Sequence, residues 1–463
     1  MPPAGPEPGL GPGLGLGPDA DHAAAGAAIA AALDARFPGG RVGVAVSGGS
    51  DSTGLLLAVH RWAHTDPAGG SVIAATVNHG LRPEARAEAD GVGALCARLG
   101  IKHDILTWAH DGAPRGNLAA AARDARRALL AEWARAAKLD AVLLGHTIDD
   151  QAETVLLRLA RGSGVDGLSA MASETRAHGA VFARPALDLR RLQLRAICIA
   201  HGVGWVDDPT NADLSHHRPR ARAALAALAP LGIDAARLAA TARRLQSQRA
   251  ALEASSAALL AQALRWGGAG EAWLALAPLA RAPLDLRLRA LAAGIAAISG
   301  ARRPRQRALA PLAAALVAGW GEGRDDGEGG REVGAPAATL AGVMFVPRGP
   351  HHVALCREPT RAAPPCDAPP GAVWDGRWRI EGAPPPGARL GPLGPEGLRD
   401  PALTGCPPPP GWAAAPRAAR LTAPCLRLCG TLIFAPHAGY INLHGGMVMR
   451  DLRADGIFAD DDL

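Results

Sequence analysis

The stretch VAVSGGSDSTGLLLAV, residues 44–59, sets an apolar run against a turn of serine, glycine and aspartate, then resumes with leucines. An apolar run that breaks into small polar residues and reopens as an Ala/Leu-rich segment reads as a buried strand, a tight turn and a helix. Where a strand hands over to a helix, free backbone N–H groups and the helix dipole converge on one spot. The turn Ser47-Gly48-Gly49-Ser50-Asp51-Ser52 is therefore built to receive an anion. Glycine lets phosphate oxygens approach the main chain, and the Ser47, Ser50 and Ser52 hydroxyls add donors. A helix cap needs one polar residue, whereas this turn supplies six small or polar ones in a row. It lacks the lysine of a GxxxxGK[ST] loop. Asp51 would repel a phosphate without a divalent cation between them, so Mg²⁺ enters the reading with the nucleotide.

Working outward, VGVAV (42–46), SVIAATV (71–77), IKHDILTW (101–108) and DAVLLG (140–145) alternate with Ala/Leu-rich segments. This alternation predicts an α/β domain with a parallel, Rossmann-like sheet, whose ligands sit beyond the carboxyl ends of the strands. Residues 221–318 carry apolar spacings of three and four and read as helical, GWGEGRDDGEGG (319–330) as a linker, and the Pro/Gly-rich remainder as a small β-containing domain. The expected division is a disordered tail over 1–20, a catalytic domain over 21–225, a helical region over 226–318, a linker over 319–330 and an accessory domain over 331–463. Trp374 and Trp378 are expected in the core of the last.

Composition bounds the function classes. At 463 residues the chain has room for two or three domains, and no uncharged apolar run is long enough to span a bilayer, so it reads as soluble. Seven scattered cysteines without a Cys-x-x-Cys pair argue against a disulfide frame or zinc knuckle and for the reducing cytoplasm. The net charge of +6 is carried almost wholly by arginine, part of it reflecting a general excess of Ala, Arg, Gly and Pro. An acidic partner is compatible with it.

HTIDDQAET (146–154) follows a predicted strand and opens a helix, which places Asp149, Asp150 and Glu153 near the phosphate turn. At spacings of three and four these acids share a helix face, where like charges repel and call for a cation. Thr147 and Asp150 also fit a capping box. That explains one acid and leaves the other two, with His146, to be accounted for. His146 and His79 each read as neighbours of the nucleotide or as structural residues.

SGGSDS after a buried strand resembles the PP-loop of the N-type ATP pyrophosphatases, which cleave ATP between the α- and β-phosphates. Within that superfamily, NHGLRPEA (78–85), GNLAAAARDARRALL (116–130), LLGHTIDDQAETVLLRLARGSGVDGLSAM (143–171), RPALDLRR (184–191) and WVDDPTNADLSHHRPRAR (205–222) together resemble the tRNA(Ile)-lysidine synthetases. The resemblance covers roughly residues 40–225 and rests on several motifs in order. It implies a ligase that uses ATP and Mg²⁺ to adenylate the C2 oxygen of the wobble cytidine in a CAU-anticodon tRNA(Ile) and then joins free L-lysine. Under it, Asp51, Asp149 and Asp150 handle the metal, Asp150 and Glu153 the lysine, and Arg123 and Arg218 the charge on the α-phosphoryl group. Ser47 to Ser52, His79 and His146 then surround the nucleotide. Two departures stand out: Arg126-Arg127 where the family commonly has Arg-Tyr, and Arg218-Pro219 where it commonly has Arg-Asn. Asn78 replaces a frequent Asp.

Arginines at 158, 161, 184, 190, 191, 195, 218, 220, 222, 243 and 244, with 302, 303, 305 and 307, are expected to form a discontinuous basic track for an RNA backbone. The rival readings are a PP-loop tRNA thiolase, which needs a reactive cysteine or cluster site, and a non-catalytic RNA- or nucleotide-binding module.

Overall fold

The strands of the first 145 residues fall where the alternation puts them: β1 (Arg41–Ala45), β2 (Ser71–Asn78), β3 (His103–Thr107) and β4 (Ala141–Leu144). In this computed structural model, which describes residues 18–65, 70–78, 80, 84–108, 118–207, 215, 217–300, 303–318, 337–403, 406–441 and 447–451, they join β5 (Glu174–Ala177) and β6 (Ala180–Ala183) in one sheet ordered β3-β2-β1-β4-β6-β5. Only β5 runs antiparallel, against β6. Val44 of β1 lies opposite Ala74 on one side and Leu143 on the other. Residues 1–17 of the expected tail, the expected linker 319–330 and His79 lie outside the described residues.

Both faces of this sheet are covered, which is why β1 reads as a continuous apolar run. On one face, α1 (Pro18–Arg36), α2 (Ser50–Thr65), α3 (Glu84–Arg98) and α7 (Arg191–Ala200) contribute Ile29, Leu55, Leu56, Cys96 and Leu194 to a core with Val42 and Val44. On the other, α4 (Leu118–Ala136) packs Leu130, Ala131 and Trp133 against Ala45 and Phe182. Burying each leucine of α2 contributes about 1.5–3 kcal/mol. Strand order reverses between β1 and β4, so the crevice for ligands opens beyond their carboxyl ends. There β1 runs into α2, and β4 into α5 (Ile148–Leu159), with α6 (Val165–Leu168) following.

The chain divides into two compact units, one running to Arg249 and the other spanning Ala250–Asp460. In the first, α8 (His217–Leu228) packs on α5 and leads to α9 (Ala235–Ala263), which continues past Arg249. The stretch read as unbroken helix contains two strands, β7 (Leu264–Trp266) and β8 (Ala272–Ala275), before α10 (Leu276–Arg281), α11 (Leu284–Ser299) and α12 (Gln306–Val317). The helix stops at Ala263, Gly267 and Gly268 lie in the turn joining β7 to β8, and β8 pairs with a strand some 80 residues later, a partner that local periodicity does not reveal.

That strand belongs to the sheet β7-β8-β11-β10-β9, with β9 (Ala338–Leu340), β10 (Val343–Arg348) and β11 (His352–Arg357). Leu274, Phe345 and Leu355 from the sheet meet Leu291, Ile295 and Leu312 from α11 and α12. Beyond it, β12 (Cys366–Asp367), β15 (Arg389–Pro392), β16 (Pro424–Leu428), β17 (Thr431–Ala435) and β18 (Tyr440–Ile441) make a second sheet. A third holds β13 (Val373–Trp374), β14 (Trp378–Glu381) and β19 (Val448–Asp451). Trp374 and Trp378 are buried in the core, as their sequence context suggests. Among the described residues, no single helix is long and apolar enough to cross a membrane.

Candidate active site

The turn after β1 is shaped from within. Gly48 takes φ = +82°, a conformation that favours glycine, and its carbonyl accepts the Val206 N–H at 2.9 Å. Ser52 Oγ accepts the Ser47 N–H and donates to the Gly49 carbonyl, both at 3.1 Å, so this hydroxyl fixes the turn. Ser50 Oγ donates to Asp51 Oδ1 at 3.2 Å. The turn after β4 lies against it: a Cβ on Gly145 would stand 2.9 Å from the backbone carbon and oxygen of Asp51.

The acids of α5 divide their work. Asp150 Oδ2 accepts the backbone N–H of Thr147 at 2.9 Å and its hydroxyl at 3.0 Å, the capping arrangement foreseen in the sequence. Asp149 Oδ2 accepts the backbone N–H of Arg191 at 2.8 Å, at the start of α7. Glu153, 1% exposed, accepts Arg222 Nε on Oε1 at 2.5 Å, while its buried Oε2 has no hydrogen-bond partner and lies 4.0 Å from Arg218 Nε. Arg218 also reaches Asp150 Oδ1 at 3.8 Å.

Arg191 stands at the centre of this constellation. Its Nε donates to Asp51 Oδ2 at 2.8 Å, its NH2 to Asp150 Oδ1 at 3.4 Å, and its NH1 lies 3.8 Å from Glu153 Oε1. Through it the structure brings together Asp51, Asp149, Asp150 and Glu153. Sequence reasoning placed Arg191 in the motif RPALDLRR (184–191) and among the basic-track arginines, without giving it a role in the site. It lies 140 residues from Asp51, and nothing in its local pattern announces that pairing.

Burial holds the Asp51 and Glu153 carboxyls above their ordinary range, against the pull of the neighbouring arginines. For Asp150 burial also acts upward, but Arg191 and the Thr147 N–H outweigh it and leave the group below its usual value. His146 is pushed down to about 4, chiefly by burial, so it is neutral near pH 7, and its Nδ1 is buried without a partner.

The same crevice gathers positive charge. Arg123 and Arg126 on α4 are held below the usual guanidinium range by burial and by the nearby Arg218. No carboxylate partner is found for either, or for Arg127, among the described residues. Arginines crowded in this way lower their energy when an anion arrives. Other members of the expected basic track are engaged within the protein: Arg158 donates to the Gly167 carbonyl and Arg184 to that of Ala172, while the exposed Arg243 pairs with Asp188 at the surface.

The three carboxylates expected at Mg²⁺ are already partly engaged. Asp149 and Asp150 each give an oxygen to a helix start, and Asp51 Oδ2 takes Arg191. Asp51 Oδ1, bonded only to the Ser50 hydroxyl, is the oxygen left at the phosphate turn. That donor set fits a Mg²⁺ carried on nucleotide phosphates and held by one carboxylate, and does not fit an all-protein cage.

The family described as a PP-loop domain matches residues 25–229. A tRNA(Ile)-lysidine synthase of Ruegeria pomeroyi is 37% identical over 408 residues, 88% of this chain and 90% of its own length. Its counterpart from a Bradyrhizobium strain is 39% identical over 76% of this chain and 96% of its own. One from a Methylobacterium strain is 46% identical over 59% and 79%. The solved U34-tRNA thiolase NcsA of Methanococcus maripaludis is 17% identical with a TM-score of 0.43, covering 49% of this chain and 80% of that one. That likeness is too distant to bear on activity. With its phosphate turn, its acidic α5 and relatives matched over nearly their whole length, the chain belongs to the tRNA(Ile)-lysidine synthase family.

Proposed function

We propose that this protein uses ATP and Mg²⁺ to convert the wobble cytidine of a CAU-anticodon tRNA(Ile) to lysidine in the cytoplasm, so that the tRNA decodes AUA instead of AUG. One observation supports the reading: the Ser47–Ser52 turn and an acidic helix start meet at the strand-order reversal, beside arginines with no carboxylate partner among the described residues.

In the first step the cytidine C2 oxygen attacks the α-phosphorus, the bond to the β-phosphate breaks, and pyrophosphate leaves. Backbone N–H groups and hydroxyls of Ser47 to Ser52 hold the departing group, and Arg123 and Arg218 take the charge growing on the α-phosphoryl oxygens. Asp51 would hold a Mg²⁺ carried on the nucleotide phosphates, and that ion would supply neutralisation of phosphate charge. The neutral His146 borders the nucleotide. In the second step the lysine ε-amine attacks C2 and AMP departs with the C2 oxygen. Glu153 Oε2, buried and lacking a hydrogen bond, and Asp150 Oδ1 orient the ammonium and receive its proton. The segments 226–318 and 331–463 support the tRNA body.

A thiolase needs a reactive thiolate. Cys96 and Cys198 are buried, and burial pushes both thiols up to about 11, away from the activated range. The deciding experiment mixes the protein with ATP, Mg²⁺, labelled lysine and a CAU-anticodon tRNA(Ile) transcript. Lysine fixed to the RNA, with AMP and pyrophosphate in equal amounts, is expected. A product formed only with a sulfur donor would favour the thiolase, and tight tRNA binding without product would favour a binding module.

A further inference from the structure

The phosphate turn carries no lysine, yet a pyrophosphate leaving group gathers negative charge that a backbone cradle alone neutralises poorly. We infer that Arg191, reaching the turn from α7, supplies that missing cation and pairs with the pyrophosphate as it leaves. The inference deepens the reaction proposed above and rests on it.

Four observations place the guanidinium there. Arg191 Nε sits 2.8 Å from Asp51 Oδ2, on the turn itself. Its position is fixed at the backbone, where Asp149 accepts its N–H at 2.8 Å. The α7 helix is pressed onto α2 so closely that a Cβ on Gly54 would stand 2.5 Å from the Leu194 carbonyl oxygen, which fixes the helix that carries Arg191 against the helix that follows the turn. One helical turn later, Arg195 Nε reaches Ser50 Oγ at 3.4 Å, so the same face of α7 presents two cations to the turn.

The resting contacts leave Arg191 with capacity to spare. Its bond to Asp51 is short, NH2 is at 3.4 Å from Asp150, and NH1 makes no hydrogen bond among the described residues. Its side chain is 19% exposed, so the group is not sealed in protein. Guanidinium presents its donors as a planar fork that matches two phosphate oxygens at once. In the adenylation step a C2–O–P bond forms, the Pα–O–Pβ bond breaks, and the electron pair of that bond leaves with the pyrophosphate. Arg191 donates hydrogen bonds to its oxygens and transfers no proton. Asp51, which holds the guanidinium before ATP arrives, is then free to face the metal.

The test compares Arg191→Gln and Arg191→Lys with the unaltered full chain in the lysidine assay, with thermal unfolding confirming that each is folded. Four quantities are read: kcat/KM for ATP, KM for lysine, and inhibition by added pyrophosphate and by AMP. For Arg191→Gln, kcat/KM for ATP is expected to fall about 100- to 1000-fold, in line with loss of one transition-state donor. Its pyrophosphate inhibition constant should rise at least about tenfold, with AMP inhibition and the lysine KM nearly unmoved, as befits loss of a donor specific to the leaving group. Arg191→Lys, which keeps a point charge without the fork, should recover part of the pyrophosphate affinity. Equal weakening toward pyrophosphate and AMP, or a shift in lysine KM alone, would overturn the inference and leave Arg191 as a brace between acids. If Arg191→Gln does not fold, Arg191→Lys alone decides by the same split. Failure of the unaltered chain to form lysidine would instead sink the underlying reaction.

Discussion

Asp51 has two oxygens with two duties, Oδ2 toward Arg191 and Oδ1 toward the phosphate turn. Asp51→Ala removes both and strands the guanidinium. Pyrophosphate release by that variant is expected to fall by at least about 100-fold while the far-ultraviolet circular dichroism stays unchanged, since the loss is electrostatic and local. Retained turnover would contradict the assignment of the turn. His146 gives a different signature. Folded, it titrates at about 4, and unfolded at 6.5. Between these values the unfolded chain binds the proton and the folded one does not, so stability falls as pH drops from 6.5 toward 4. Denaturant midpoints measured across that window should fall with pH for the protein and stay flatter for His146→Asn, and equal slopes would show that this group is not responsible.

At the scale of elements, two close approaches set the site. Gly145 lets the β4 turn touch the Asp51 backbone, and Gly54 lets α7 lie on α2. Since backbone is the obstacle in both cases, Gly145→Ala should cost about 1–3 kcal/mol in chemical denaturation and displace Asp51, with activity falling further than stability alone explains. The α5–α8 contact depends on charge. Replacing Arg222 with methionine leaves Glu153 buried without its closest partner, which is expected to destabilise the protein by about 3–5 kcal/mol, and the further change Glu153→Gln should recover much of that. These devices also show what was legible in the sequence. The strand–turn–helix over residues 44–59, the parallel strands and the Thr147–Asp150 cap are local patterns, and the structure contains each of them. Arg191 at Asp51 and β8 beside β11 arise from residues far apart in the chain, where neither periodicity nor spacing carries a signal.

For the whole molecule, the sequence reading took its many arginines as one basic track, but several in the first unit are tied to carbonyls or carboxylates. Arg123, Arg126 and Arg127 remain as charge without acidic partners among the described residues. Binding of a CAU tRNA(Ile) transcript should therefore be salt-sensitive with a modest slope. Arg127→Ala should lower that log–log slope by about 1, measured by filter binding between 50 and 200 mM salt, because one phosphate contact is lost. An unchanged slope would place the RNA elsewhere.

The ion pair at the centre of the site joins Asp51 to a residue 140 positions further along the chain. During synthesis at about 5–20 residues per second, Asp51 leaves the ribosome roughly 7 to 28 s before Arg191 follows. Throughout that interval the phosphate turn exists in a growing chain that lacks the helix bearing its cation. The Asp51–Arg191 pair therefore cannot form until all six strands of the sheet have been synthesised.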